Sequence, residues 1–108
     1  DNMHLVDGGL LNSIPSDVPK VMGADKVVAV DVNSSRGYGT DSLRILEVIG
    51  ATIRIMSSVN SMMGKAHADV LIMPDLKKFK ATSKEGYEEM IELGYQAAKA
   101  SIDQIINL

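Results

Sequence analysis

The run Lys26-Val27-Val28-Ala29-Val30-Asp31-Val32 constrains this fold more than any other stretch. It is β-branched and nearly continuous, with no polar face to offer water. An alternating strand suits one covered face. A continuous apolar run suits an interior strand of a parallel sheet, covered on both. Parallel strands need a crossover connection, usually a helix. The flanking segments read that way. Upstream, Ser16 is placed to cap a short helix, with Asp17 at its positive end and Pro19 in its first turn. Lys20, Val21 and Met22 follow, and Gly23 stops it. Before that helix, residues 3–6 read as a short buried strand that enters a corner, Asp7 to Pro15.

Downstream, residues 33–40 form a loop rich in Gly, Ser and Asn. A helix then runs from 41 or 42 to 63. Leu43, Leu46, Ile49, Ile53, Met56 and Met63 make one apolar row along it, and Ile45, Val48, Ile55, Val59 and Met62 a second. Arg44, Glu47, Arg54, Ser58, Ser61 and Lys65 make its polar row. So wide an apolar surface predicts a helix packed on two sides. Gly50 is expected to admit a neighbouring backbone, and Gly64 to end the helix. Residues 69–73 are a third strand, stopped by Pro74. A basic connector follows, with Lys77, Lys78 and Lys80 read as solvated. Thr82 or Ser83 then caps a last helix, with Glu85 completing a capping box from Thr82. Tyr87, Met90, Ile91, Gly94, Ala98, Ile102, Ile105 and Ile106 give that helix an apolar side, expected to pack on a sheet or helix. The predicted class is α/β, a layered, mainly parallel sheet with flanking helices.

The 108 residues suit about one domain. With a net charge of −3 and no basic block, nucleic acid is not an expected partner. There is no cysteine, which excludes thiolate metal sites and fits a reducing compartment, so a cytoplasmic location is expected. No apolar run reaches the roughly 20 residues that cross a bilayer. His4 and His67 have no partners at metal or triad spacing. His4 reads as strand packing and His67 as an exposed turn residue. No metal or cofactor is expected. A mononucleotide site is disfavoured, because the glycines follow an aspartate and no G-x-G-x-x-G opens a helix. The chain reaches its first predicted strand almost at once, which suggests part of a larger domain.

The chemistry concentrates in Leu5-Val6-Asp7-Gly8-Gly9-Leu10-Leu11-Asn12-Ser13-Ile14-Pro15. One carboxylate, Asp7, stands at a strand's end on a glycine turn. In open α/β sheets ligands bind outside the carboxyl ends of strands. By itself Asp7 reads as a turn aspartate accepting backbone N–H groups. Asp31, at the end of the next strand, reads likewise as a cap or turn residue. Met56, Met62, Met63, Met73 and Met90 read as core filler, with an acyl-chain groove as the alternative.

The segment DGGLLNSIPSDVPKVMGADKVVAVDV closely resembles the C-terminal half of patatin-like acyl hydrolases, particularly the bacterial ones. Asp7, Gly8, Gly9, Asn12, Pro15, Gly23, Ala24 and Asp25 fall on that family's pattern. ADVLIMPDL, from Ala68, resembles a later strand of the family. Glu92-Leu93-Gly94-Tyr95-Gln96-Ala97-Ala98 resembles its recurring I-x-x-G-Y-x-A-A helix. The resemblance implies that residues 1–108 are the C-terminal part of one patatin-like α/β/α domain. It makes Asp7 the aspartate of a Ser-Asp catalytic dyad, with Gly8, Gly9 and Asn12 as turn support. It implies a lipid or acyl ester substrate, phospholipase or esterase activity, no cofactor, and at most peripheral membrane contact.

The family also needs a G-x-S-x-G serine and a glycine-rich oxyanion loop, both upstream of the aspartate. No Gly-x-Ser-x-Gly occurs here. The chain alone is therefore expected to be inactive. Burial beside Leu5, Leu10 and Leu11 would raise the proton affinity of a carboxylate there and make it a better base. Asn12 is expected to brace the loop or hold Asp7. The alternative is a non-catalytic α/β module that self-associates through exposed apolar surfaces.

Overall fold

The computed structural model describes residues 3–33, 44–79 and 85–108. In chain order they form a 3-10 turn Gly8–Leu10, helix α1 Asp17–Val21, strand β1 Val28–Val30, helix α2 Ile45–Ala66, strand β2 Val70–Ile72, helix α3 Tyr87–Ala100 and helix α4 Ile102–Ile106. β1 and β2 pair in parallel, Val28 opposite Val70, Ala29 opposite Leu71 and Val30 opposite Ile72. The pairing extends past both ends: Asp31 N donates to Ile72 O at 2.9 Å and Asp69 N to Val27 O at 2.8 Å. The α/β class and the helical crossover between parallel strands are as the residue pattern predicts.

α1 ends as its sequence indicates. Gly23 takes φ 98°, a conformation costly for any residue with a Cβ. Its N–H reaches Lys20 O at 3.0 Å, and Ala24 N–H reaches Pro19 O at 2.9 Å. Together these close a Schellman motif, which satisfies two of the helix's last carbonyls. Ser16 sits at the N-cap but its side chain makes no capping bond. It is buried instead.

Several expectations are corrected. Residues 3–6 are neither a strand nor buried: Met3, Leu5 and Val6 stand exposed and His4 with them. A strand exists only with a ladder partner, and the described sheet consists of β1 and β2 alone. β1 is covered on one face, where Ala29 is buried, while Val28 and Val30 are exposed on the other. α2 continues past Gly64 to Ala66. It starts at Ile45, after Arg44 in extended conformation at φ −66° and ψ 129°, and not at 41 or 42. The loop expected at 33–40 beyond Asn33, Lys80 and the Thr82–Ser83 cap lie outside the described residues. α3 instead begins after Gly86, at φ 75°. The last helix is two helices, broken at Ser101, whose hydroxyl donates to Ala97 O at 3.1 Å. Such i−4 back-bonding bends helices.

The core is small: Ile14, Val27, Ala29, Ala51, Val70, Ile72 and Leu76. No residue of α3 or α4 is buried. Ile45, Leu46, Met56, Met62 and Met63 on α2 are also exposed, so the two-sided packing expected for that helix is not formed. Met73 is exposed too, and core filler does not describe these methionines. The radius of gyration, 15.9 Å, exceeds the roughly 13 Å of a close-packed domain this long.

The sheet's amino-terminal edge is tied by Asp69. Its Oδ2 accepts Val27 N–H at 2.7 Å and pairs with Lys20 Nζ at 2.7 Å. Lys20 also donates to Asp25 O at 2.8 Å. The Lys20 hydrogen bond, and then the Val27 amide, hold the Asp69 carboxyl below its ordinary value of 3.8. A carboxylate easier to ionise in the folded state stabilises it above the unfolded value. That stabilisation fades as pH falls below 3.8 toward the lower folded value. Melting followed from pH 6 to pH 2 is therefore expected to show a steeper loss below about 4 in the natural chain than in Asp69→Asn.

Candidate functional site

The corner after Val6 is built by Asp7. Its backbone is extended, at φ −61° and ψ 127°, and its Oδ1 accepts the Gly9 N–H at 2.8 Å. This is an N-cap on the 3-10 turn. Leu10 N donates to Asp7 O at 3.2 Å, and Leu11 N and Asn12 N to Gly8 O at 3.0 and 2.9 Å. A Cβ on Gly9 would lie 3.1 Å from Asp7 Oδ1, so glycine there lets the carboxylate fold back over the turn. Gly8 has nothing near its missing Cβ, and neither glycine has a positive φ. The pair serves close approach, not a left-handed bend.

Asp7 is exposed. The apolar enclosure expected from Leu5, Leu10 and Leu11 is not formed: Leu5 is 87% exposed and Leu11 82%. Asn12 also differs from expectation. Its Nδ2 donates to Asp17 Oδ1 at 2.9 Å, not to Asp7, and so links the corner to the first turn of α1. Its Oδ1 is buried and accepts no hydrogen bond from the described residues. It faces α2 beside a cavity of about 220 Å³ lined by Leu11, Asp17, Asn60, Met63, Gly64 and His67. His67 lies exposed in a turn, as its sequence context predicts, with Nδ1 2.8 Å from Met63 O.

The corner rests on α2 at three points spaced 57, 60 and 64. Ser57 Oγ donates to Gly9 O at 2.9 Å. Asn60 Nδ2 donates to Leu10 O at 2.9 Å. At Gly64 a Cβ would fall 1.7 Å from Ile14 O and 2.9 Å from Asn12 Oδ1. Gly64 is thus the close-approach glycine, while a Cβ at Gly50 would meet only Arg54 Nη1 at 3.4 Å. Ser57 and Asn60 stand in neither the apolar rows nor the polar row of α2. The signal was available, since residues at i, i+3 and i+7 share a helix face.

Asp31, at the end of β1, is 4% exposed. It accepts Asn33 N–H at 2.9 Å, the turn bond its position predicts, and pairs with Lys65 at 2.5 Å. The same helix that seats the corner therefore also reaches the end of β1. Among the described residues no group of three or more His, Cys, Asp or Glu is arranged to hold a metal ion. No described helix is long and apolar enough to cross a membrane.

Two pairs of substitutions probe this docking. Gly64→Ala puts a methyl into backbone and is expected to cost about 1–3 kcal/mol. Gly50→Ala is expected to gain about 0.5–1 kcal/mol from helix propensity. Urea unfolding of both variants reads the opposite signs. Asn12→Ala removes both the Asp17 bond and the unpaired oxygen, and is expected to cost no more than about 1 kcal/mol. Asn12→Asp sets two carboxylates together and should cost more at pH 7 than at pH 4, as thermal melts at the two values would show.

No protein-family model matches the chain. It is, however, similar along nearly its whole length to patatin-like phospholipase domain-containing proteins. It is 29% identical to protein ZK370.4 of Caenorhabditis elegans over 98% of this chain and 10% of that protein. It is 24% identical to protein 7 of Rattus norvegicus over 95% of this chain and 10% of the relative. It is 25% identical to protein 6 of Mus musculus over 93% of this chain and 9% of the relative. The chain thus spans about a tenth of the length of these curated relatives.

Proposed function

We propose that this chain is the dyad-aspartate segment of a patatin-like acyl hydrolase acting on lipid esters. The serine and the oxyanion donors would come from outside these residues. The observation that carries the reading is Asp7: an exposed carboxylate on a turn bound to α2, in a chain similar to phospholipase-domain proteins over nearly its full length. Residues 1–108 are then the C-terminal part of one α/β/α domain. Gly8 and Gly9 shape the turn, and Asn12 braces it against α1.

The chemistry asked of Asp7 is proton transfer. As the serine oxygen bonds to the acyl carbon, its proton passes to the carboxylate. The alcohol then leaves as the acyl–oxygen bond breaks, taking that proton. Water attacks the acyl-enzyme in the same way, giving up a proton to Asp7, which returns it to the serine as the acid departs. The bond from Gly9 N–H holds one carboxylate oxygen in a fixed direction, which is what a base on a surface turn requires. The apolar surface needed to enclose such a base would come from the rest of the domain. Contact with lipid would be peripheral, in a cytoplasmic protein.

A second reading has its own support. β1 and β2 are both edge strands, and the apolar faces of α2 and α3 are open. Such a fragment would self-associate as a non-catalytic module. Size-exclusion chromatography with light scattering separates the two, a monomer counting against the module.

The catalytic reading is tested with short p-nitrophenyl esters. The isolated chain is expected to show no turnover. In the longer protein that contains it, Asp7→Asn is expected to lower kcat by a factor of about a thousand or more with little change in KM. Retention of natural kcat by that variant would refute the reading.

A further inference from the structure

We infer that Ser57 and Asn60 of α2 are positioning residues for Asp7, an inference that rests on the catalytic reading of that aspartate. Neither side chain touches Asp7. Each instead holds a carbonyl of the turn that Asp7 caps. Ser57 Oγ donates to Gly9 O at 2.9 Å and Asn60 Nδ2 to Leu10 O at 2.9 Å. Gly9 is the residue whose own N–H fixes Asp7 Oδ1 at 2.8 Å. A chain of two bonds therefore runs from a helix hydroxyl, through one peptide residue, to the carboxylate.

The geometry suits positioning more than general stability. The turn Gly8–Leu10 buries no residue, so apolar packing does not hold it. Its link to the molecule is polar and comes from one rigid element. α2 runs through 22 residues from Ile45 to Ala66 and reaches beyond the corner to Asp31 through Lys65. Ser57, Asn60 and Gly64 are spaced three and four apart, so they present one face. On that face the two donors grip the turn, and Gly64 lets the following strand of backbone, at Ile14, lie against the helix. A carboxylate used as a base must be held within a few tenths of an ångström of its partner. A solvent-exposed turn of three residues does not hold itself that well.

The test follows the Gly9 amide of the natural chain by two-dimensional NMR at one pH. Because this amide donates to Asp7 Oδ1, Asp7→Ala is expected to move its shift. In the background of Ser57→Ala with Asn60→Ala the move that Asp7→Ala causes is expected to fall by at least half. Gly9 amide exchange is expected to quicken by about tenfold, the effect of losing two modest hydrogen bonds. Val70 and Ile72 amides report the fold and should keep their protection. Ser57→Thr retains a hydroxyl on the same face and is expected to keep the natural Asp7-dependent shift of Gly9 in the presence of Asn60. If the double variant unfolds, Ser57→Ala alone supplies the comparison with Ser57→Thr. An Asp7-dependent Gly9 shift and an exchange rate untouched by loss of either donor would overturn the positioning role, whatever Asp7 does. Full kcat in Asp7→Asn of the longer protein would instead defeat the catalytic reading and leave the clamp standing.

Discussion

The absence of one carbon atom at Gly64 lets the rest of this structure assemble. Any side chain there would drive its Cβ to 1.7 Å from Ile14 O, and no rotamer relieves a clash that begins at Cβ. With hydrogen in that place, the backbone of the corner lies directly on α2. Ser57 and Asn60 then come within hydrogen-bond reach of Gly9 and Leu10. Ile14 enters the core, and Asn12 meets Asp17 at the start of α1. The candidate base, the first helix and the long helix thus share one contact.

Around that contact the molecule divides into a tied part and an open part. The tied part is polar at both ends of the short sheet. Asp69 joins Lys20 and Val27 at one end, and Asp31 pairs with Lys65 at the other. Between them lies a small apolar core in which β2 contributes Val70 and Ile72. The open part is apolar. Side chains along α2, one face of β1, and Tyr87, Ile91, Tyr95, Ile102 and Ile106 of α3 and α4 present hydrophobic surface to solvent. Burying such surface is the main favourable contribution to folding.

The same division explains which expectations failed. The apolar rows of α2 lie on a single helix, while the apolar side predicted for one last helix is divided between α3 and α4. Their partners did not follow, because an apolar period says that a face can be buried and not what will bury it. Residues 3–6 have strand composition but find no ladder. Gly50 and Gly64 occupy the same helix, and composition does not rank them. Only the passage of Ile14 beside one of them does. Met56, Met62, Met63 and Met73 met the same limit: side chains fit for a core stand exposed among the described residues.

What the residues determined unaided is what depends on neighbours a few positions away. The stop at Gly23 through a left-handed glycine, the turn bonds of Asp7 and Asp31 and the exposed turn at His67 are all of this kind. Tertiary structure alone decided the rest. The bonds from Ser57 to Gly9, from Asn60 to Leu10 and from Val27 to Asp69 join residues 48, 50 and 42 positions apart. No local propensity encodes a contact at that separation. It arises only when a helix of fixed pitch and a turn of fixed shape are brought to one place, and a missing side chain lets them touch.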